Sequence, residues 1–299
     1  CQIVNHNAFD ESSLVHLGTV EPDVPIWLNR HWVDADIRIT TGFVEPHFFA
    51  GFSGGPKMVA PGLAGFDTIV ELHGARLIRD PNSTWGIIEG NPIHDAIRQI
   101  VQQTGVDFSI DVTINRDHQI TGVFAGDLFS AHKAACSFAR RTAMRSVSGY
   151  FDVVITTNSG YPLDLNLYQS VKGMAAAARV VRPGGIIIAF AECSDGIPAH
   201  GHYGKLLSTG NGPKELLKQI NSPGYRCQDQ WQVQLQAQIQ LRAKVYLKSS
   251  FLTSQQVRSA HLEPIENVEE ELMAIISEQG PEARICILPQ GPQTIPFVD

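Results

Sequence analysis

Three side chains set the chemical question. His47, Lys57 and His73 follow one another at intervals of ten and sixteen residues. A histidine in a loop at a strand end can act as acid or base near neutral pH. A lysine held in a tight backbone turn can be driven toward nucleophilic or covalent chemistry. A histidine on the helix that follows can point back at the loop and bind a metal through one ring nitrogen. The first two belong to residues 45–65, Glu-Pro-His-Phe-Phe-Ala-Gly-Phe-Ser-Gly-Gly-Pro-Lys-Met-Val-Ala-Pro-Gly-Leu-Ala-Gly, with five glycines and three prolines. No helix or strand interior tolerates that punctuation. Each of the three residues alone reads as a solvated or structural group; their combination reads as a site.

Known phosphate loops do not account for the stretch. A P-loop needs G-x-x-x-x-G-K-[ST], but counting from Gly51 places Pro56 where the second glycine belongs, and Met58 follows Lys57. The glycines at 51, 54 and 55 also miss the G-x-G-x-x-G spacing of a dinucleotide fingerprint. Residues 156–164 form a polar turn without a glycine triad. A Rossmann-like pattern in the second half is therefore a statement about fold and not about NAD.

The elements that must position these residues alternate between strand and helix. Residues 37–42 read as a strand ending in glycine, which puts the glycine loop at a strand's C-terminal end, where open α/β sheets bind ligands. Residues 2–4 and 15–20 read as strands, and Trp27, Leu28 and Trp32 follow a loosely helical spacing. Residues 66–76 read as one helix carrying His73, with Asp67 and Thr68 as capping groups, and 91–105 as a second helix. Residues 108–115 and 119–125 read as a hairpin, and 127–145 as a helix. The pattern resets near 146–150. Strand 151–157, helix 165–181, Arg182-Pro-Gly-Gly and strand 186–191 make a βαβ unit with a parallel sheet. A glutamine-rich helix at 229–244, a helix from 254, a helix at 268–279 and a strand at 284–288 continue the series. The expected architecture is α/β: two α/β domains, 1–147 and 148–299, the second with a Rossmann-like parallel sheet. The site is expected in the cleft between them, and the last ~20 residues are expected to pack back on the first domain.

Composition narrows the function classes. The chain has 299 residues, 43% of them hydrophobic and 18% charged, enough to bury two cores. A net charge of −7 argues against a nucleic-acid or anionic-membrane binder. Five dispersed cysteines without a CxxC pair read as reduced thiols of a cytoplasmic protein. No apolar run approaches the ~20 residues of a membrane span, and no signal peptide is evident. The chain opens on Cys-Gln-Ile-Val-Asn-His without an initiator methionine, and sequence is expected to precede it.

His-Phe-Phe-Ala-Gly-Phe-Ser-Gly-Gly-Pro-Lys, then Pro-Gly, then His73 in Glu-Leu-His-Gly, resembles the nickel-dependent lactate racemase family. Residues 161–173, Tyr-Pro-Leu-Asp-Leu-Asn-Leu-Tyr-Gln-Ser-Val-Lys-Gly, and the tail 288–296 support the resemblance. It implies a racemase or epimerase that inverts C2 of a 2-hydroxy acid, lactate or a related acid. The cofactor it implies is a nickel pincer nucleotide, pyridinium-3-thioamide-5-thiocarboxylic acid mononucleotide. By the same resemblance Lys57 tethers that cofactor covalently, Gly54, Gly55 and Tyr168 contact it, His73 binds nickel and His47 is a catalytic base. Gln169, Lys172 and Trp231 belong to the substrate pocket, the Lys172 amine being suited to a carboxylate. Partners are the small-molecule acid and, transiently, cofactor-synthesis enzymes; nucleic acid and membrane are excluded.

The family's second catalytic histidine lies further upstream, so the isolated chain is expected to be inactive; His6 and His16 come too late to replace it. Two alternatives stand beside this reading: a ligand-binding relative without turnover, and an NAD-dependent 2-hydroxy-acid dehydrogenase. His31, His94, His118, His132 and His261 read as surface or capping groups. His200 and His202 have metal-pair spacing with no carboxylate or cysteine near in sequence beyond Asp195, and Glu269–Glu271 reads as a solvated helix face.

Overall fold

The computed structural model describes residues 2–299. The chain divides into two compact units, the first ending at Ala143 and the second spanning Met144–Asp299.

In the first unit, β1 (Leu14–Val20) and β2 (Val24–Asn29) form an antiparallel ribbon. A single helical turn, α1 (Arg30–Val33), follows, capped by the Asn29 side chain on the His31 amide. Trp27 and Leu28 are thus strand residues and not helical ones, because both ends of β2 are fixed by pairing to β1. Residues 2–4 form no strand. His6 is structural: its Nε2 bonds the Ala64 carbonyl at 2.8 Å and its Nδ1 accepts from Asn29 at 3.0 Å.

Next come β3 (Ile39–Phe43), the two-residue strands β4 (Pro46–His47) and β5 (Gly51–Phe52), then α2 (Phe66–Leu72), α3 (Ala75–Arg79) and α4 (Pro92–Thr104). The expected single helix over 66–76 is broken at His73-Gly74, where Gly74 is the N-cap of α3. Thr68 does not cap; its hydroxyl donates to the Pro25 carbonyl and accepts from the Trp27 amide, stitching α2 to β2. The expected hairpin forms as β6 (Phe108–Ile114) and β7 (Ile120–Gly126), with β3 parallel to β6 on the other side. Helix α5 (Leu128–Ala143) lies against β6 and β7.

This three-stranded sheet reverses the usual facing. Ser109, Asp111 and Thr113 of β6 are buried, while Phe108, Ile110 and Ile114 on the same strand are at least a third exposed. Period-two alternation separates the two faces, but here the polar one is turned inward.

The second unit opens with β8 (Met144–Val147) and β9 (Phe151–Thr157), followed by α6 (Leu167–Ala178), β10 (Val181–Phe190), α7 (Tyr203–Leu207) and α8 (Pro213–Ile220). Then follow α9 (Gln230–Arg242), β11 (Ala243–Lys248), α10 (Ser254–Ser259), β12 (Glu263–Pro264), α11 (Val268–Gln279), β13 (Ile285–Leu288) and β14 (Ile295–Val298). Five strands make one all-parallel sheet in the order β12-β11-β10-β9-β13. Helices α6 and α9 lie against β9, β10 and β11. On the other face Val153, Ile186 and Ile188 pack with Ile265 and with Ile275 of α11. A sheet covered on both faces explains the near-continuous apolar run Ile186-Ile-Ile-Ala-Phe. The closing strand β14 pairs in parallel with β8.

Cys136, Cys193, Cys227 and Cys286 are free thiols, and Cys1 lies outside the described residues. Among the described residues no helix is long and apolar enough to cross a membrane.

Candidate functional site

The glycine loop is a folded object rather than an open connection. It leaves β3 through Val44 and Glu45, makes the β4–β5 hairpin with His47 opposite Gly51, and closes in a 3-10 turn over Gly55–Met58. The Ser53 hydroxyl ties its base, donating to the Phe43 carbonyl and accepting from the Glu45 amide. Gly51 and Gly55 show what the loop needs glycine for. Gly51 has φ +80°, and a Cβ there would lie 2.1 Å from the Ile87 carbonyl oxygen. Gly55 has φ +51°, and a Cβ there would lie 2.3 Å from Cγ of His132. Only glycine combines left-handed backbone with such close approach.

Phe49, at the hairpin tip and 4% exposed, collects the three candidate residues. Its ring stands edge-on to His47 at 4.5 Å and to His73 at 5.1 Å, and the Lys57 ammonium lies 6.0 Å from its centroid. Phe48 packs on His47 and, at 5.8 Å, on Trp85.

Each of the three is held differently. His47 is partly buried, and its Nδ1 accepts from the Ala50 amide at 3.2 Å. That bond assigns the ring hydrogen of the neutral imidazole to Nε2. Lys57 is partly buried on the 3-10 turn, its amide donating to the Gly54 carbonyl at 3.1 Å. His73 is not on a helix face but at the C-cap of α2. Its Nδ1–H donates to the Ile69 carbonyl at 2.7 Å, which places the lone pair on Nε2. Burial, and next to it the Lys57 charge, outweigh the Ile69 bond and push its pKa down to about 4, so the ring is neutral at pH 7. A neutral imidazole fixed through Nδ1–H by a carbonyl has the arrangement of a metal-binding histidine.

His94 and His132 are not surface or capping groups: each is 2% exposed. Their rings stack at 5.7 Å and 13°. Burial, followed by His132, Arg98 and Lys57, pushes His94 down to about 3. Burial also holds His132 below its ordinary value, against the Ser53 carbonyl and the Asp111 carboxylate. His132 Nε2 donates to the Ser53 carbonyl at 2.9 Å, with Cys136 Sγ at 3.4 Å. Asp111 on β6 is fully buried; its Oδ1 accepts from the Gly55 amide at 3.1 Å, and its Oδ2 has no hydrogen-bond partner. The sequence does carry a signal for this cluster. A carboxylate in Phe-Ser-Ile-Asp-Val-Thr-Ile shares its strand face with Ser109 and Thr113, and His132 stands one helical turn before Cys136.

In the second unit, Tyr168, Gln169 and Lys172 lie in the first turns of α6. Asn166 caps that helix, accepting from the Gln169 amide at 3.1 Å. The Asn158 amide reaches across the βα turn, accepting from Gly173 at 2.8 Å and donating to the Gln169 carbonyl at 3.2 Å. Tyr168 and Lys172 are one helical turn apart, on one face. Trp231, on α9, donates Nε1–H to the Tyr168 hydroxyl at 2.9 Å. Tyr203 meets Tyr168 edge to face at 5.4 Å. Burial pushes the Tyr168 phenol up to about 12, so it stays protonated. The structure therefore brings Tyr168 and Trp231 together and gathers His47, Lys57 and His73 round Phe49, one group in each unit.

His202 has a cysteine beside it that sequence distance concealed: Cys227 Sγ lies 3.3 Å from its Nδ1, and Asp229 accepts from its amide at 2.8 Å. Among the described residues no group of three or more His, Cys, Asp or Glu is placed to hold a metal ion.

Residues 1–86 match the lactate racemase N-terminal domain family and residues 147–295 the lactate racemase C-terminal domain family. The lactate racemase of Lactiplantibacillus plantarum is 36% identical over 293 residues, covering 97% of this chain and 68% of that protein. The lactate racemase of Thermoanaerobacterium thermosaccharolyticum is 34% identical over 296 residues, covering 98% and 69%. The solved lactate racemase apoprotein of that organism superposes with a TM-score of 0.92 at 33% identity, covering 97% of this chain and 70% of the other. A solved protein from Thermotoga maritima, at TM-score 0.72 and 17% identity over 99% of this chain and 78% of its own, shares the fold.

Proposed function

The chain belongs to the lactate racemase family, and we propose that it inverts C2 of a 2-hydroxy acid, lactate or a close relative, on a nickel pincer nucleotide tethered to Lys57. The observation that carries this reading is the convergence on Phe49: a candidate base, a candidate tether and a neutral imidazole surround one aromatic ring.

The residues present fit such a group. His73 holds its Nε2 lone pair in a fixed direction and stays neutral well below pH 7. A metal carried by its nucleotide would need few ligands from the protein, and His73 would supply one. Lys57 would hold the group covalently through its amine, and Gly54 and Gly55 would let the backbone pass close to the nucleotide. When bound, the cofactor supplies a hydride acceptor, the hard part of the chemistry.

The protein's share is binding and proton movement. Inversion at C2 would require the substrate hydroxyl to give up its proton and take it back. His47 serves that proton on one face of C2. In the present conformation its Nε2 carries the hydrogen while Nδ1 accepts from Ala50. To accept a proton at Nε2 the ring must first move its hydrogen to Nδ1, which gives up the Ala50 bond; otherwise it must turn to present Nδ1. The Lys172 ammonium would pair with the substrate carboxylate, with Gln169 beside it on α6. The Trp231–Tyr168 pair would form a pocket wall that keeps water from the reacting centre.

The test is intact mass and nickel content of protein exposed to the synthesised cofactor. One covalent adduct on Lys57 with one nickel, the adduct lost in Lys57→Ala and the nickel alone lost in His73→Ala, supports the reading. A nickel-free protein that binds NAD tightly would overturn it. A panel of chiral 2-hydroxy acids then assigns the substrate.

A further inference from the structure

We propose that Asp111 and His132 are positioning residues that clamp the Ser53–Lys57 turn from two sides and so aim the Lys57 amine. The proposal rests on the reading of Lys57 as the tether but concerns two residues that reading does not use.

The turn is gripped at two points. Asp111 Oδ1 accepts from the Gly55 amide at 3.1 Å, two residues before Lys57. His132 Nε2 donates to the Ser53 carbonyl at 2.9 Å, four residues before it. The grips come from different elements, β6 and α5, which pack on each other. The backbone is squeezed between them. A Cβ on Gly55 would meet His132 at 2.3 Å, and a Cβ on Gly54 or on Gly42 would meet Asp111 Oδ1 at 3.2 Å. Lys57 belongs to this clamped backbone, its amide N–H donating to the Gly54 carbonyl at 3.1 Å.

The clamp is costly in the way a functional device is. A fully buried carboxylate is unfavourable unless it is hydrogen-bonded, and an apolar residue of similar size would serve the sheet better. Asp111 nevertheless has Oδ2 unsatisfied and spends Oδ1 on one backbone amide. His132 likewise brings a polar ring into the interior to bond a loop carbonyl. Neither residue lies on the Phe49 side chains where the chemistry is proposed, so each acts through Lys57 rather than on substrate.

Amide hydrogen exchange on the cofactor-free chain tests the clamp. Asp111→Ala removes the acceptor and should speed exchange at Gly55 by about tenfold, the scale of a hydrogen bond to a charged group. Exchange in α4 and in the α5 amides away from residue 132 should stay unchanged. Asp111→Asn keeps an oxygen in place of Oδ1 and should restore Gly55 protection to within about threefold of the parent. His132→Phe keeps the ring against Gly55, loses the Ser53 bond and should loosen Ser53–Lys57 without lowering protection of β6. The Lys57-adduct yield on exposure to cofactor should fall in the same order as protection. Unchanged Gly55 exchange in both Asp111→Ala and His132→Phe would overturn the proposal, as would an Asp111→Asn variant as disturbed as the alanine. If Asp111→Ala does not fold, Asp111→Asn and His132→Phe carry the comparison. A parent chain that takes no adduct on Lys57 would defeat the tether reading, and the exchange data would still decide whether the two residues hold the turn.

Discussion

The ring of Phe49 meets the imidazole of His73 edge to face, at 5.1 Å between centroids and 84° between planes. The contact spans 24 positions of sequence and joins the tip of a hairpin to the cap of a helix. It makes a hydrophobic side chain the spacer that fixes how far the candidate metal ligand stands from the candidate base.

Phe49→Ala should therefore do two things. Emptying so buried a ring site should cost about 3–5 kcal/mol of stability by denaturant unfolding. In the fraction that folds, His73 should gain access to water and its pKa should rise from about 4 toward 6.5, read by NMR titration. Phe49→Leu should keep more of the stability and show the same direction of shift.

Gly55→Ala should be severe for its size. Its φ of +51° disfavours any side chain, and the new methyl would overlap the His132 ring. Left-handed backbone alone costs about 1–3 kcal/mol for a non-glycine residue, and the overlap adds to it. Gly55→Ala should lower the melting temperature less in a His132→Ala background than in the parent, the difference being the overlap part and the remainder the backbone part.

Acid should destabilise the first unit through His94. Its folded pKa is depressed to about 3 from 6.5, so between those values the unfolded chain binds a proton that the folded chain does not. Stability then rises with pH through that window, and the contribution is fully present above 6.5 and lost as pH falls toward 3. His94→Gln removes the titrating group and should flatten the pH dependence of unfolding free energy between pH 6.5 and 4, measured by urea melts.

Tyr168→Phe should remove the phenol that now accepts from the Trp231 indole N–H at 2.9 Å. A double-mutant cycle with Trp231→Phe should return a coupling of about 1 kcal/mol. In cofactor-loaded enzyme the effect should fall on KM more than on kcat if the pair is a pocket wall.

The tautomer of His47 is a separate expectation. In the cofactor-free chain nitrogen-15 shifts should show Nε2–H, because Nδ1 is occupied by the Ala50 amide. Ring-nitrogen shifts that assign the hydrogen to Nδ1 would remove the need for a ring turn before proton transfer.

Much of the second unit was legible in the sequence because its signals are local. The apolar run at Ile186 and the alanine-rich helix before it specify a βαβ unit within forty residues, and the parallel sheet follows; Arg182-Pro-Gly-Gly, read as a break before the strand, lies inside β10, where the register shifts between Val181 and Ile186. The β6–β7 hairpin was legible for the same reason. The break in the helix at His73-Gly74 was less so, since a single glycine inside a helical pattern can be tolerated, and here the backbone exit at Gly74 ends the first segment. Trp27 and Leu28 misled because a short amphipathic run fits either period, and pairing with β1 decided it.

The sequence by itself determined the chemistry available: a tight glycine turn carrying a lysine, a histidine before it and another after it, and a second block on a helix start. Those follow from residue type and spacing, which fix local conformation and reactivity. Only the tertiary structure decided what surrounds them. It turned Ser109, Asp111 and Thr113 inward on β6 and left Phe108, Ile110 and Ile114 outward, against the sense that composition suggests. It buried His94 and His132 beneath the loop, and it set Trp231 against Tyr168 across 63 positions. Burial and long-range hydrogen bonds depend on which elements pack together, and no local pattern encodes that partner.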